Sequence, residues 1–233
     1  MTENKNLPKV GVIGSGSFAT AVVKMLMENC EKVHWLLRND GTREALVSQG
    51  SNPHYLTAVK FNPDRLVLTM DINELVTACD VIILATPSIY LADTIEKMTC
   101  DYSGKIFASV IKGIVPKHND IVANYLRDTF KIGYRSQAVL AGPCHAEEVA
   151  MERLSFLTVA AASKETTQML SDLLSSRYIR INQSNDILGN EYSAVLKNIY
   201  AIGAGMANGL GYGDNFQAVY ISNAVRELER ILD

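Results

Sequence analysis

Residues 9–19, KVGVIGSGSFA, decide how this chain is read. The first five, residues 9–13, are a short β-rich run, and a helix-type pattern begins at Phe18 and continues to about residue 29. Between them stand Gly14, Ser15, Gly16 and Ser17, so a G-x-G-x-x-A sequence follows a strand and opens a helix. In that setting the first glycine permits a tight turn and the second lets backbone approach a pyrophosphate. The small Ala19 brings helix and strand together, and the helix N-terminus faces the anion. A glycine turn in an unrelated α/β protein is the competing reading, and the strand before and helix after weigh against it. Gly14, Ser15, Gly16, Ser17 and Phe18 are therefore expected to contact a dinucleotide, NAD or NADP.

Working outward, residues 32–37, 66–69, 81–85, 106–111 and 138–141 supply further strand-like runs. Their uninterrupted apolar character suits parallel strands covered on both faces. Alternation with helical segments predicts an α/β fold, a Rossmann-type doubly wound, mostly parallel sheet. After Gly142 and Pro143 comes another strand–helix–strand, at 156–160, 165–174 and 178–181. Two helical stretches follow, 191–208 and 216–232, joined by the glycine-rich 209–213. The polar turn at 184–189 marks a boundary. It separates a dinucleotide-binding domain, 1–187, from the start of an all-helical second domain, 188–233.

A length of 233 residues allows one large domain, or one domain and part of another. A net charge of −3, without a basic stripe, excludes nucleic acid as the expected partner. Cys30, Cys79, Cys100 and Cys144 form no C-x-x-C pair, so no metal site is expected. The N-terminal MTENKNLPKV has a charged arm and no apolar signal region. Apolar runs stay far below the ~20 residues of a membrane span. No membrane insertion is expected, and the expected address is the cytoplasm.

At the ribose-reading position, where an acid would bind the hydroxyls of NAD, stands Arg38. A guanidinium suits a 2′-phosphate and can also stack on adenine, which favours NADP and leaves NAD open; a solvated loop charge is the alternative. Thr86, Pro87 and Ser88 follow the fourth strand, on the nicotinamide side. Lys112 directly follows the fifth strand, beside Gly113, and aims an ammonium into the ligand crevice, unless it snorkels to the surface. Gly142, Pro143, Cys144 and His145 follow the sixth and open a helix with Glu147 and Glu148 in its first turn. Neither Cys144 nor His145 has a partner for nucleophilic chemistry, so His145 reads as structural.

On the helix from Glu191, Tyr192, Val195, Leu196, Ile199, Ile202 and Met206 form one apolar face, expected to be buried. The opposite face is small, with Ser193, Ala194, Ala201, Ala204 and Gly205 around a single lysine, Lys197. Such a face suits close approach by another surface. Partial desolvation there would lower the lysine pKa from ~10.4 and ease proton transfer, the alternative again being a snorkelling side chain.

Several segments together resemble the NAD(P)-dependent sn-glycerol-3-phosphate dehydrogenases. They are residues 14–19, Ile111-Lys112-Gly113, Ala141-Gly142-Pro143 with Glu148-Val149-Ala150, residues 196–205 (LKNIYAIGAG) and residues 209–215 (GLGYGDN). The resemblance covers essentially the whole chain. It implies interconversion of dihydroxyacetone phosphate and sn-glycerol 3-phosphate for glycerophospholipid synthesis. It makes Lys197 the proton donor and acceptor, and Lys112 a contact of both substrate and cofactor. Ser17, Phe18, Arg38 and Pro87 become cofactor contacts, and Asn198 a substrate contact. Gly142, Cys144 and Ala146 fall on substrate and cofactor positions of the Gly-Pro loop, although the family usually carries a small hydroxyl residue or Asn at position 144.

The family also continues for about a hundred further residues, the size of a second domain. That part holds an aspartate and an arginine–asparagine pair without counterparts here. Ile221, Ala224, Val225, Leu228, Ile231 and Leu232 are still in helical phase at the chain's end. The expectation is a chain that ends before its active site is complete and associates as a homodimer through its two helices. The alternatives are a catalytically inactive dinucleotide-binding fragment and a related keto-acid reductase.

Overall fold

The computed structural model describes residues 7–232; the charged arm at residues 1–6 and Asp233 lie outside them. Strand β1 (Val10–Ile13) runs into helix α1 (Ser17–Leu26), and β2 (Val33–Leu36) into α2 (Asp40–Gln49). Next come β3 (Leu66–Thr69), α3 (Ile72–Ala78), β4 (Val81–Leu84), α4 (Ser88–Ile95), β5 (Ile106–Ser109) and α5 (Val122–Phe130). Then follow β6 (Gln137–Ala141), α6 (Ala146–Ala150), β7 (Ser155–Ala161), α7 (Lys164–Leu174) and β8 (Ile179–Ser184). Two long helices end the chain, α8 (Ile187–Gly209) and α9 (Asp214–Leu232).

The strands form one sheet in the order β3-β2-β1-β4-β5-β6-β7-β8. Its first six strands are parallel and follow the Rossmann order, which reverses between β1 and β4. Strand β7 is antiparallel to β6, and β8 is parallel to β7. The continuous apolar runs have a direct cause. Successive strand residues point to opposite faces, and both faces are covered. Val81 and Ile83 join one core cluster with α1, while Ile82 and Leu84 join another with α3 and α4.

A third cluster unites Ile187 and Ala194 of α8 with Val139, Ala141 and Ala160 of β6 and β7. Helix α9 packs on α8 where Gly203 leaves room for the Tyr220 ring, and Tyr200 Oη donates to Glu227 Oε2 at 2.9 Å.

Three expectations need correction. Helix α8 begins at Ile187 rather than Glu191, because the Asp186 carboxylate accepts the Gly189 N–H at 2.8 Å and caps an earlier turn. Strand β5 ends at Ser109, so Lys112 stands three residues beyond it. On the apolar face of α8 expected to be buried, Tyr192, Val195 and Leu196 are only half-buried. The helix is buried at its start through Ile187, Glu191 and Ala194, and Ala194 belongs to the opposite face, the one expected to be small. Ile199, Ile202 and Met206 are 62%, 66% and 64% exposed, on flanks of the helix other than the one where α9 meets Gly203 and Ala204.

Candidate functional site

The glycine loop sits at the switch point between β1 and β4. Gly14 has a φ of 125°, and a Cβ there would lie 2.6 Å from the Ala85 carbonyl oxygen, so this position admits no side chain. A Cβ on Gly16 would meet nothing within 4 Å. The second glycine therefore serves the space in front of the loop rather than the fold behind it. Gly16 is also the N-cap residue of α1 and makes no side-chain cap, so the helix N-terminus is left to an anion. These two features make the loop a suitable cradle for a dinucleotide diphosphate.

That loop borders a cleft of about 410 Å³ at the carboxyl ends of β1, β4, β5 and β6. Gly16, Ser17, Phe18, Pro87, Lys112, Cys144 and Ala146 all line it. Gly142, with a φ of 118°, accepts the Cys144 N–H at 3.0 Å and turns the chain back toward the cleft. Ser17 Oγ donates to Glu147 Oε1 at 3.4 Å, linking the first turns of α1 and α6. Arg38 is exposed at the end of β2, and its guanidinium lies 5.9 Å from the centre of the Tyr90 ring on α4.

One lysine lines the cleft and a second stands beside its loop. Lys112 is half-buried, with its ammonium 5.3 Å from the Phe18 ring centre. Burial pulls its pKa below the ordinary lysine value; the Lys197 charge acts in the same direction and Cys144 opposes. The Cys144 thiol is itself pushed up to about 11 by burial, so it stays protonated at neutral pH and is no nucleophile. Asn198 Nδ2 donates to the Lys112 carbonyl at 3.2 Å, and Lys197 Nζ donates to Asn198 Oδ1 at 3.1 Å. Helix α8 thus delivers Lys197 and Asn198 to the Lys112 loop. Lys197 is exposed, however, and the desolvation expected of it falls on Lys112 instead.

Tyr90 and Glu191 are two of the groups that the sequence reading missed. Tyr90 lies three residues after Pro87, and only the cation–π contact with Arg38 draws attention to it. Glu191 is 0% exposed on α8, and its carboxylate oxygens accept the Val122 and Ala123 N–H groups of α5 at 3.1 and 3.0 Å. Burial raises its pKa to about 7, against the two backbone hydrogen bonds that lower it. A single acid inside an otherwise apolar helical face was the available signal. Among the described residues no helix is long and apolar enough to cross a membrane.

The NAD-dependent glycerol-3-phosphate dehydrogenase N-terminus family model matches residues 9–167, and the corresponding C-terminus model matches residues 186–233. Glycerol-3-phosphate dehydrogenase [NAD(P)+] of Pseudomonas fluorescens is 35% identical over 233 residues, which cover 99% of this chain and 66% of that protein. Its counterpart in Latilactobacillus sakei is 32% identical over 228 residues, covering 95% and 66%. The chain thus spans just under two thirds of the length of these relatives. Among solved structures, glycerol-3-phosphate dehydrogenase of Plasmodium falciparum superposes with a TM-score of 0.86 at 26% identity, covering 96% of this chain and 66% of that one.

Proposed function

The chain belongs to the NAD-dependent glycerol-3-phosphate dehydrogenase family, and from that premise we propose that the whole protein interconverts dihydroxyacetone phosphate and sn-glycerol 3-phosphate for glycerophospholipid synthesis. One observation carries the substrate reading: Asn198 ties the α8 helix to the Lys112 loop, so the Lys197 ammonium is held near enough to the cleft-lining Lys112 for the two charges to act on each other. Their mutual repulsion is relieved by an anion, and a phosphate with two negative charges relieves it better than the single carboxylate of a keto acid.

Bound NAD(P)H supplies the redox equivalents. Gly14, Ser15, Gly16 and Ser17 hold its diphosphate, and Phe18, Pro87 and Ala146 shape the walls around it. Arg38 reads the ribose 2′-phosphate, which favours NADP over NAD, and Tyr90 backs the guanidinium on the adenine side. Lys112, Gly142 and Cys144 border the substrate, and Asn198 fixes its distance from α8. Lys197 Nζ gives a proton to the oxygen on the substrate's C2 during reduction and takes it back in the reverse direction.

In this reading residues 1–187 are the cofactor domain and residues 188–233 open a helical substrate domain. The exposed apolar faces of α8 and α9 pair two copies as a homodimer, and the setting is cytoplasmic. The test is Lys197→Met in the protein as it occurs. Turnover of dihydroxyacetone phosphate should fall by ~10²–10⁴-fold with NADPH affinity unchanged. A loss below about threefold removes Lys197 from the chemistry.

A further inference from the structure

The three carbonyl groups of the glycine loop are each tied to a side chain behind it. Trp35 Nε1, from β2, donates to the Gly14 carbonyl at 2.6 Å. Asn52 Nδ2, from the loop after α2, donates to the Ser15 carbonyl at 3.1 Å and to Thr20 Oγ1 at 2.9 Å. Thr20 Oγ1, on α1, donates in turn to the Gly16 carbonyl at 2.9 Å, which also accepts the Thr20 backbone N–H at 3.0 Å. All three side chains are 0% exposed. Asn52 is itself held in place, because its Oδ1 accepts the His54 and Tyr55 N–H groups at 3.0 and 3.3 Å.

Every described peptide bond is trans. In a planar trans peptide the C=O of one residue and the N–H of the next point in opposite directions. Holding the carbonyls of Gly14, Ser15 and Gly16 against the interior therefore turns the N–H groups of Ser15, Gly16 and Ser17 away from it. A buried carbonyl deprived of its donor would regain a partner by rotating toward solvent. Here solvent means the cleft, so its oxygen would stand where a phosphate must sit.

We propose that Trp35, Asn52 and Thr20 are positioning residues for the cofactor diphosphate, acting as a set of donors that keeps the loop's carbonyls inward and its amides outward. This rests on the dinucleotide reading of the cleft. None of the three faces the ligand, so their effect is specific to the part of the ligand that the amides receive.

The experiment compares ADP-ribose, which carries the diphosphate, with adenosine, which does not, by calorimetric titration of the parent chain and of Thr20→Val and Asn52→Leu. ADP-ribose binding should weaken at least about tenfold in Asn52→Leu and by less in Thr20→Val, where the Gly16 carbonyl keeps its backbone donor, with adenosine binding held within about twofold in both. Equal losses for both ligands, or none, would overturn the proposal. Because Asn52→Leu can fail to fold, a second measurement uses the parent alone. Trp35 is the only tryptophan, so one indole N–H resonance reports its bond to Gly14. That resonance should exchange slowly with solvent and shift with ADP-ribose but not with adenosine. A rapidly exchanging indole N–H, or one unmoved at saturating ADP-ribose, overturns the inference. A parent with a protected indole that binds neither NADPH nor ADP-ribose overturns the cofactor reading itself, and this one with it.

Discussion

Strand β4 and the second half of α8 carry similar aliphatic side chains in opposite surroundings. Ile82, Ile83 and Leu84 are fully buried, whereas Ile199, Ile202 and Met206 are each more than half exposed. The strand is hydrogen-bonded between β1 and β5 and has helices over both faces. The helix beyond Leu196 has α9 along one side, on Gly203, Ala204 and Ala207, and its remaining flank is open. Half of the exposed large apolar side chains among the described residues lie from Ile199 onward. An apolar face therefore identifies a surface that wants cover; how much cover it has depends on which elements are adjacent.

This contrast is open to direct attack, beginning with the sheet. Ile83→Ala should destabilise the chain by about 2–5 kcal/mol in denaturant unfolding, through lost burial and a residual cavity. A cost under about 1 kcal/mol would mean that the sheet core is no better packed than the helical pair.

The junction between the two regions comes next. The folded pKa of Glu191, about 7, lies above its ordinary value of 4.5, so the folded state holds the proton more tightly. The stability contributed by the neutral form is full at low pH and is lost as pH rises from about 4.5 through about 7. Glu191→Gln, which puts an NH2 in place of one of the two accepting oxygens, should be less stable than the parent near pH 4 and should gain on it by up to about 3 kcal/mol between there and pH 8. An unfolding difference that stays constant across that range would place the carboxyl in water rather than under α5.

Cofactor binding should sit wholly on the sheet side. Arg38→Ala should weaken NADPH relative to NADH by about 1.5–3 kcal/mol, measured by nicotinamide fluorescence titration. Equal losses for the two would assign Arg38 to adenine or to the solvent. The smallest effect belongs to the open flank. Ile202→Ala should change unfolding stability by no more than about 0.5 kcal/mol and leave NADPH affinity unchanged. Ile202→Glu should shift light scattering toward the monomer, and a parent already monomeric would remove the homodimer from the proposal.

Much of the sheet region was legible because its signals are local. A glycine pair between a strand and a helix names a loop, and unbroken apolar runs name strands buried on both faces. That Lys197 stands on a helix was also legible. The exposure of Lys197 and the burial of Lys112 were not, because each depends on how far α8 travels past the sheet. Glu191 and Asn52 were missed for a related reason. Each is a polar residue whose partners lie on other elements, 69 residues away for Glu191 and 37 for Asn52, and no local pattern encodes such a pairing.

The strand reversal at β7 has a mechanical consequence. Ser184 at the end of β8 pairs with Ala160, and the neighbouring Ala161 pairs with Ala138 near the start of β6, so β8 finishes at the edge opposite the cleft. Helix α8 must climb the full height of the sheet to bring Lys197 to Lys112, and its 23 residues, about 34 Å, carry it well past the rim. It is buried low, at Ile187, Glu191 and Ala194, is tied again to the Lys112 loop by Asn198, and runs on from that tie like a cantilever. The tip at Gly209 lies about 16 Å beyond Asn198 along the helix. Whatever rests on the far end of α8 thus pulls on the hydrogen bond that keeps Lys197 and Asn198 beside the Lys112 loop.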